Sequence, residues 1–563
     1  MNILGINYIF HDTSSCIVQD GDLICALEEE RFTRNKHTYE FPERSIQRCL
    51  SIAKLDTENI DHIAVSIDPW KHQLKKIAYA LSLGFKSKQF IKNEFWRYRN
   101  QQQKFWHWYR HTWPGNKHPE VHFIEHHKSH ILGSYFVSPY ENAALLSLDG
   151  SGEWSTHWMG EIRDGKISKI AESFFPNSLG SFYEAATEFC GFRPNYDEGK
   201  TMGLAPFGNA DRLYDKARSL VTIKDTGEIA VDTGYFNFPH YGECRYNEKF
   251  VALFGKPRAQ SKTAPFESHH EDVAAAFQKA LEDCALKMCK ILEQKTSAEH
   301  IIIAGGVALN SVMNGRIIRE TRFKDAYIMP AAGDNGTAIG AAYCVWNDVL
   351  GNTKRHTHLN PFVGTSYSDD EVEATLKGFK LSYKKCDDIC QAAAQLIHQG
   401  KIIGWFQGNM EIGPRALGSR SIVADPTNAN MKGKINAEVK YREPYRPFAP
   451  SAIEESYKTY FELGVDDPFM LKVDFVKPEW RAKLAAITHV DGSARLQTVS
   501  KKTNPLYHRL ISEVGKLTGT DVVLNTSFNV MGEPVVESPE QAIRCFYTSG
   551  LDALAIGNFL IMK

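Results

Sequence analysis

The stretch NILGINYIFHDTSSCIVQDGDLICALEE, residues 2–29, decides the fold class. It contains three short runs with the composition of strands, NILGINY, SSCIVQ and LICALEE, which the turn-forming FHDT and DGD separate. A second set returns at about 121–160 as VHFIEHH, AALLSLDG and WSTHWMGEI. Because strand–turn–strand sets return with helices between them, the pattern predicts two related α/β lobes in the N-terminal part of the chain.

The rest of the chain predicts a second α/β domain. An amphipathic pattern over 267–294 predicts a long helix, and HIIIAGGVALNS after it predicts a strand that enters a glycine pair. The polar stretch 351–370 has the composition of a linker. Beyond it, DDICQAAAQLIHQGKIIGWFQG predicts a helix and then a strand, and the tail predicts a helix over 504–517 and a strand over 521–524. For a chain of 563 residues we therefore place two domains, at 1–355 and 365–563.

Composition limits the partners of the protein. A formal net charge of −1 gives no overall attraction to nucleic acid or membrane, so neither partner is expected. No run of eighteen apolar residues exists, and the start MNILGINYIF lacks the basic segment of a signal peptide. The eleven cysteines form no CxxC pair, which favours reduced thiols. These features predict a cytoplasmic protein.

Histidines in EHHKSH, residues 125–130, are candidate metal ligands. His126 and His130 are four residues apart, so on a helix they lie on one face, one turn from each other. Asp149 follows the apolar strand of LLSLDGSGEWS, and Asp334 lies in the glycine-flanked turn of MPAAGDNGTAIGAA. Two imidazoles and two carboxylates suit Fe(II), Mn(II) or Zn(II). The alternatives are a solvated, histidine-rich helix end and two aspartates that form turns or helix caps.

Glycine-rich loops in the N-terminal domain are candidates for nucleotide contacts, because glycine lets the backbone approach a ligand closely. The same composition is also common in loops without a ligand. The first loop is EGKTMGLAPFG, 198–208, and the second is IAGGVALNS, 303–311. From these loops we take Lys200, Gly305, Gly306 and Asn310 as candidate binding residues.

Two more segments suggest chemistry. HDTSS, 11–15, lies between the first two predicted strands, where His11 and Asp12 could act as acid–base groups on a hydroxyl substrate; a polar hairpin turn is the alternative. The segment 85–110 mixes Lys and Arg with Phe, Trp and Tyr. It could stack bases and hold phosphates or cover a substrate, whereas a pair of surface helices is the simpler interpretation.

Cationic residues in the second domain predict an anion site. They lie in MEIGPRALGSRSIVADP (410–426), KYREPYRPFAPS (440–451) and DGSARLQTV (491–499), where glycine and proline stiffen the backbone. Arginine binds phosphate through two parallel charge-assisted hydrogen bonds, and lysine adds a point charge. Surface ion pairs with nearby glutamates are the alternative. No GxxxxGK[ST] motif occurs, which excludes a Walker-type ATPase. The candidates are Arg415, Arg420, Lys440, Arg442, Arg446 and Arg495, with Ser527 and Asn529 in NTSFNVMGEP.

Taken together, these motifs resemble a known family. HHKSH, SLDGSGEWS, DEGKTMGLAPFG, AGGVALNS and AAGDNGTAIGAA, followed by MEIGPRALGSRSI, KYREPYRPFAP and NTSFNVMGEPVV, are similar to the O-carbamoyltransferases of nodulation-factor and antibiotic biosynthesis. The resemblance runs in order from residue 1 nearly to the end. It implies an N-terminal actin-like (ASKHA) two-lobed domain and a C-terminal α/β domain similar to threonylcarbamoyl-adenylate synthases.

The resemblance also implies roles for particular residues. His126, His130, Asp149 and Asp334 match the metal ligands, with Fe²⁺ favoured and Mn²⁺ or Zn²⁺ as alternatives. His11 matches a position near the transferred group. The remaining matches are to residues that hold phosphates in the synthase-like domain, and they are Lys440, Arg446, Ser527, Asn529, Arg415, Arg420 and Arg495.

The implied activity is ATP-dependent carbamoyl transfer. Carbamoyl phosphate and ATP, with Mg²⁺, would give carbamoyl-adenylate, and the carbamoyl group would pass to a hydroxyl of a small natural product such as an antibiotic or toxin. A homodimer is the expected state. One alternative is a tRNA-modifying carbamoyl or threonylcarbamoyl transferase; a hydrogenase-maturation enzyme would need CxxC zinc fingers that are absent. A non-enzymatic actin-like nucleotide sensor is the alternative from another class.

Overall fold

The computed structural model describes residues 1–115, 117–261 and 264–563, and the chain divides into two compact units. The first unit contains Met1–Glu29 and His37–His358, and the second contains Glu30–Lys36 and Leu359–Lys563. The predicted domains, 1–355 and 365–563, do not separate residues 30–36, which group with the second unit. No amphipathic pattern or linker composition marks that short excursion in the sequence.

The first unit contains two five-stranded sheets and one small hairpin. Most of the predicted strands are confirmed, whereas VHFIEHH is a strand only over its first three residues because a helix begins at His126. The strands are β1 (Asn2–Asn7), β2 (Ser14–Gln19), β3 (Asp22–Glu28), β4 (His62–Val65), β5 (Glu120–Phe123), β6 (Ala143–Leu148), β7 (Ser155–Arg163), β8 (Lys166–Phe174), β9 (Val221–Ile223), β10 (Ile229–Val231), β11 (His300–Ala304) and β12 (Asp325–Tyr327).

The two large sheets repeat one topology. Their orders are β3-β2-β1-β4-β5 and β8-β7-β6-β11-β12. In the first sheet β1 pairs antiparallel with β2 and parallel with β4, and in the second sheet β6 pairs antiparallel with β7 and parallel with β11. This repeated meander followed by parallel strands confirms the predicted actin-like, two-lobed α/β fold.

Helices cover both sheets of the first unit. The predicted helix over 267–294 is confirmed, since it extends from Ser268 to Lys295 and buries Val273, Phe277 and Leu281. The α-helices are Glu43–Ala53, Gln73–Ser82, Ser87–Ile91, Tyr98–Thr112, His126–Phe136, Leu179–Phe189, Glu198–Leu204, Tyr214–Ser219, Glu248–Phe254, Ser268–Lys295, Ser311–Glu320 and Thr337–Tyr343, with π-helical turns at Lys92–Arg97 and Cys344–Val349.

A glycine contact joins the two lobes. Helix Thr337–Tyr343 packs on β1 of the first sheet, and helix His126–Phe136 packs on β11 of the second. The two helices cross at Gly133 and Gly340, so closely that a Cβ atom on Gly133 would lie 2.1 Å from the Cα atom of Gly340. Only glycine fits at such a crossing. The contact therefore sets the distance between everything the two helices carry.

The second unit is an α/β structure on a mixed sheet of eight strands, in the order β13-β22-β21-β14-β15-β20-β16-β19. The predicted strands after the linker and in the tail are confirmed as β14 and β20. The strands of the unit are β13 (Lys384–Lys385), β14 (Ile403–Phe406), β15 (Arg420–Ala424), β16 (Ala449–Ile453), β17 (Asp474–Phe475), β18 (Ser493–Ala494), β19 (Gln497–Val499), β20 (Val522–Ser527), β21 (Ala553–Ile556) and β22 (Phe559–Met562), of which β17 and β18 form a separate two-stranded sheet.

Two apolar clusters fill the two faces of this sheet. One contains Ile422, Leu524 and Phe546, and the other contains Trp405, Val423 and Tyr507. Alternate residues of β15 belong to different clusters, as a sheet buried on both faces requires. No helix among the described residues is long and apolar enough to cross a membrane. The α-helices of this unit are Glu30–Thr33, Asp369–Gly378, Ile389–His398, Met431–Lys434, Tyr457–Tyr460, Pro478–Arg481, Pro505–Thr518 and Pro539–Tyr547, with a π-helical turn at Ile435–Lys440.

Replacement of Gly133 by alanine tests the helix crossing. Because the added Cβ atom meets backbone rather than a flexible side chain, Gly133→Ala should lower the free energy of unfolding by about 1–3 kcal/mol. The matched control is Gly199→Ala, since Gly199 is exposed in helix Glu198–Leu204 and has no atom within 4 Å of an added Cβ. That change should leave stability unchanged or raise it slightly. Equal effects of both changes in urea unfolding would contradict the crossing.

Candidate metal and anion sites

Four predicted metal ligands meet in the first unit. His126 begins helix His126–Phe136, and His130 follows one turn later. Asp149 follows the end of β6, and Asp334 begins a single 3₁₀ turn ahead of helix Thr337–Tyr343. Each has one ligand atom within 4.8 Å of those of the other three, and the side chains are buried except for that of Asp149, which is slightly exposed.

The spacing of the ligand atoms fits a small divalent ion. The Nε2 atoms of His126 and His130 are 3.0 Å apart, and His126 Nε2 lies 3.0 Å from Asp149 Oδ2. Asp334 Oδ1 lies 3.5 Å from His126 Nε2 and 3.4 Å from His130 Nε2. Ligands bonded at about 2.1 Å are separated by roughly 3.0–3.4 Å at octahedral or tetrahedral angles. The donor set and its geometry therefore fit Fe²⁺, Mn²⁺ or Zn²⁺.

The charges of the cluster also favour a cation. Burial raises the pKa of Asp149, but His126 and His130 lower it to well below its usual range. Burial likewise raises the pKa of Asp334, and His126 and His11 bring it down to about 2. Burial lowers the pKa of His126, but Asp334 and Asp149 raise it by more, so that it lies well above its usual range. Two buried carboxylates thus need positive charge between them, which a divalent ion supplies.

Gly305 and Gly306 support Asp149. The Gly306 N–H donates to Asp149 Oδ1 at 3.2 Å, and Oδ2 is the oxygen that faces His126. Gly305 has φ +91°, and a Cβ atom there would lie 2.2 Å from the Leu148 carbonyl oxygen. These glycines therefore allow the loop to approach the strand that carries Asp149. They support the ligand cluster in this way, and their contact with a nucleotide stays a prediction.

Asn310 and Lys200 are engaged within the protein. The Asn310 side chain caps helix Ser311–Glu320 by accepting from Met313 N at 3.1 Å, and it exchanges hydrogen bonds with Gln278. These contacts occupy the side-chain oxygen and amide of Asn310 within the protein, and its contact with a nucleotide stays a prediction. Lys200 forms an ion pair with Asp197 at 3.1 Å and is half-buried.

The middle histidine of the motif, His127, is structural. Its Nδ1 lies 2.9 Å from Ser147 Oγ and its Nε2 lies 2.9 Å from the Ser155 carbonyl oxygen. Burial lowers its pKa to about 3, so the ring is neutral. One turn of helix therefore presents two imidazoles to the cluster and directs the one between them into the sheet.

Glu153 is a functional candidate that we did not predict. It is buried, and its Oε1 accepts from the backbone N–H of His126 at 2.9 Å and from that of Asp68 at 2.7 Å. Burial raises its pKa to about 7. Glu153 fixes the first residue of the ligand-bearing helix. Its position four residues after Asp149 in SLDGSGEWS is the only signal for it in the sequence.

His11 and Asp12 form a second cluster with His37. Asp12 lies between the two rings, with Oδ2 2.8 Å from His11 Nδ1 and Oδ1 2.7 Å from His37 Nδ1. Burial lowers the pKa of His11, but Asp12, Asp334 and Asp149 raise it to about 10. The effects of Asp334 and Asp149 show that the His11 ring interacts electrostatically with the metal-type cluster.

Asn7 connects the two clusters. Its side-chain Nδ2 donates to the carbonyl oxygens of His11 at 3.3 Å, Asp12 at 3.2 Å and Asp334 at 3.0 Å. Asn7 ends β1 and is buried. One amide thus ties the turn that holds the acid–base candidates to the turn that holds a metal-type ligand. We did not predict this role, because one asparagine at a strand end carries no distinctive signal.

The metal content of variants should distinguish the role of His130 from that of His127. His130→Ala removes a ligand, so the affinity for Fe²⁺, Mn²⁺ or Zn²⁺ should fall by more than the roughly 10- to 100-fold that loss of a supporting partner costs. His127→Gln keeps an amide donor and acceptor and leaves the ligand atoms in place, so it should retain wild-type metal content. Elemental analysis of reconstituted, desalted protein measures both, and equal metal content in the two variants would contradict the assignment.

In the second unit Lys440, Ser527 and Asn529 lie together as predicted. Lys440 Nζ donates to Asn529 Oδ1 at 2.7 Å, to the Asn529 carbonyl oxygen at 3.0 Å and to Ser527 Oγ at 3.3 Å. Burial lowers the pKa of Lys440, and Arg442 lowers it further. The ammonium group is therefore fixed in place in an environment that already has an excess of positive charge.

That excess comes from a cluster of arginines. Burial lowers the pKa of Arg415, and Arg495 and Arg446 lower it further, to well below its usual range. Burial also lowers the pKa of Arg442, and Arg446 and Arg495 lower it further. Burial and Arg446 bring the pKa of Arg495 to about 10. Like charges gathered in this way destabilise one another, and a phosphate group would relieve the repulsion.

Arg420 has a different role from the one predicted. Its guanidinium is completely buried, donates to the carbonyl oxygens of Gln407 at 2.9 Å and Thr365 at 3.1 Å, and lies over the Phe406 ring. These contacts hold β14, β15 and the entry to the unit together. We therefore correct the prediction that Arg420 faces phosphate: it is a structural residue, although its motif neighbour Arg415 belongs to the cationic cluster.

The excursion 30–36 adds cations that the sequence did not reveal. Arg34 donates to the carbonyl oxygens of Val535 and Pro534, both at 2.7 Å, and Arg31 donates to the Gly413 carbonyl oxygen at 2.9 Å. Lys36 contributes to the lowered pKa of Lys440. A short segment from near the N-terminus thus helps to build the cationic site. No local pattern could have predicted this long-range contact.

Removal of one arginine should separate anion binding from folding. Arg495→Ala should weaken phosphate-compound binding about 10- to 100-fold, since it removes charge-assisted hydrogen bonds. In the absence of phosphate its thermal stability should stay the same or rise, because a repelling charge is gone. Arg420→Ala is the contrasting variant and should unfold at lower temperature. Calorimetric titration with carbamoyl phosphate and ATP tests this, and destabilised ligand-free Arg495→Ala would contradict it.

Comparison with known proteins identifies the family. The family described as Carbamoyltransferase N-terminus matches residues 2–343, and the family described as Carbamoyltransferase C-terminus matches residues 394–563. The chain therefore belongs to the carbamoyltransferase family and is a transferase enzyme, which confirms the family predicted from the motifs.

Curated relatives match over most of the chain. An uncharacterized protein of Synechocystis sp. is 37% identical over 100% of this chain and 97% of its own length. Nodulation protein NolNO of Sinorhizobium fredii is 34% identical, with 99% and 80% covered, and Nodulation protein NolO of Bradyrhizobium diazoefficiens is 38% identical, with 78% and 79% covered. Among solved structures, full-length HypF is 13% identical over 62% of this chain and 47% of its own, with a TM-score of 0.30.

Proposed function

We propose that the protein is an ATP-dependent O-carbamoyltransferase that makes carbamoyl-adenylate and passes the carbamoyl group to a hydroxyl of a small natural product. The observation that carries the proposal is that a member of the carbamoyltransferase family has a cluster with two carboxylates in one unit and a cationic cluster in the other. The first unit gathers a buried cluster of two histidines and two aspartates. The second unit gathers Lys440 and four mutually repelling arginines, and phosphates are among the anions that such residues bind.

Activation is the role we propose for the second unit. Hydrolysis of carbamoyl phosphate releases inorganic phosphate and carbamate, and a carbamate oxygen attacks the α-phosphorus of ATP while pyrophosphate leaves. Arg415, Arg446 and Arg495 would hold the phosphates, and Lys440 would neutralise charge that develops during the displacement. Mg²⁺ would accompany ATP, as it does with other nucleotide substrates.

Transfer is the role we propose for the first unit. The acceptor oxygen attacks the carbamoyl carbon, the bond to AMP breaks, and His11 takes the hydroxyl proton while Asp12 orients its ring. A divalent ion on His126, His130, Asp149 and Asp334 would supply Lewis-acid polarisation of the carbonyl. The same positive charge would offset Asp334 and Asp149, two of the three carboxylates that raise the pKa of His11, and would so favour the neutral ring that a base requires. The cytoplasm, where the co-substrates are made, is the compartment we propose.

Pyrophosphate release with ATP, Mg²⁺ and carbamoyl phosphate tests the first step. Release should depend on carbamoyl phosphate, and mass spectrometry should detect carbamoyl-adenylate in the same tube. His11→Ala should still release pyrophosphate but should fail to carbamoylate any member of a panel of hydroxylated natural products. Lys440→Ala should lower pyrophosphate release at least about 100-fold, as loss of a group that stabilises transition-state charge does. Pyrophosphate release that is independent of carbamoyl phosphate would contradict the proposal.

A tRNA-modifying transferase is the second candidate, and the cationic, aromatic segment 85–110 is the observation that favours it. In that case tRNA, with the same co-substrates, should become carbamoylated, and the protein should be retained on immobilised tRNA at low salt. A nucleotide sensor without transferase activity is inconsistent with membership of the family.

A further inference from the structure

We propose that residues 70–110 dock the protein on an anionic lipid surface. The main observation is an exposed apolar face on helix Gln73–Ser82. Leu74, Ile77 and Leu81 follow one another at the spacing of a single helix face, and that face is open to solvent, with Leu74 83% and Leu81 77% exposed. Large apolar side chains that are exposed together mark an interaction surface.

The opposite face of this helix is held firmly. Lys76 is completely buried and forms an ion pair with Glu94 at 2.8 Å, and its ammonium lies 4.3 Å from the centre of the Tyr98 ring. Tyr79 packs edge-on against Phe90, with the ring centres 5.2 Å apart. The helix is therefore anchored to the unit through Lys76 and Tyr79 while its apolar residues face outward.

Further exposed apolar residues flank the helix in the sequence. Trp70 precedes it, Phe85 lies fully exposed in the turn that follows, and Ile91 and Trp96 are exposed in the next helical segment. Tryptophan and phenylalanine prefer the boundary between headgroups and acyl chains. The composition of the surface is thus that of a helix pair lying in a membrane interface.

The charge of the segment complements anionic lipid. Residues 70–110 contain ten Lys and Arg residues and a single acidic residue, Glu94, which the buried Lys76 neutralises. Lys75, Lys86, Lys88 and Lys92 are exposed among the apolar residues, and no described carboxylate forms an ion pair with any of them. The net charge of −1 averages over the chain and hides this concentration. Our expectation of no membrane partner rested on that average, and the proposal replaces it.

A bilayer fits both features, whereas RNA fits one. Phosphates of RNA would satisfy the lysines but give nothing to Leu74, Ile77 and Leu81, which cannot stack on bases. Anionic headgroups bind the lysines, and the acyl layer below them receives the aliphatic side chains. The proposal does not depend on the carbamoyl chemistry, since it concerns binding alone.

Sedimentation with lipid vesicles tests the proposal. The protein should sediment with phosphatidylglycerol–phosphatidylcholine vesicles and remain in solution with pure phosphatidylcholine. Leu74→Ser with Leu81→Ser should reduce binding at least tenfold, as loss of two buried apolar side chains implies. Lys88→Glu with Lys92→Glu should reduce it at least about 25-fold, because each basic residue near an anionic surface contributes roughly fivefold.

Matched controls make the result specific. Phe379→Ser with Val490→Ser removes exposed apolar residues elsewhere, and Lys166→Glu with Lys290→Glu reverses exposed charges elsewhere, so both should bind like wild type. All changes are on the surface, and thermal unfolding should confirm that each variant is folded. Two results would overturn the proposal: no binding to anionic vesicles, or equal losses of binding in the control variants. If vesicle binding is absent and the segment variants abolish a dimer or a tRNA complex, that complex is what the segment forms instead.

Discussion

The contact between Gly133 and Gly340 is the constraint on which the first unit depends. Each glycine lies on a helix that packs on a different sheet of the duplicated fold. Because the helices touch backbone to backbone, His126 and His130 on one helix come within 3.5 Å of Asp334 at the start of the other. Asp149 at the end of β6 completes the cluster. The symmetry of the two lobes thus produces one asymmetric site where they meet.

The two candidate sites solve opposite electrostatic problems. In the first unit burial disfavours the charge of two carboxylates, and histidines with a cation offset that cost. In the second unit arginines and a lysine repel one another, and phosphates resolve the conflict. Buried charges of either sign are costly unless they are paired. Each cluster is better explained as a site whose stability is completed by its ligand.

Much of the fold, and most of the metal-type cluster, can be predicted from the sequence because the signals are local. Four-residue spacing in EHHKSH predicted the helix face of His126 and His130, and strand-end positions predicted Asp149. The repeated strand sets predicted the duplicated fold. Arg415 and Arg420 show the limit, since they lie five residues apart in one motif but have unrelated environments. Whether an arginine faces a ligand or backbone carbonyls depends on the neighbouring strands, which short-range patterns do not contain.

Long-range contacts account for what the sequence could not provide. Asn7 joins two turns that are more than three hundred residues apart, and residues 30–36 join the second unit from within the first. The central claim is that each site serves its own half-reaction. The direct test is carbamoyl-adenylate formation, measured by mass spectrometry with ATP, Mg²⁺ and carbamoyl phosphate, in Asp149→Asn and Lys440→Ala. The account predicts wild-type formation in Asp149→Asn and almost none in Lys440→Ala, whereas the reverse pattern would contradict it.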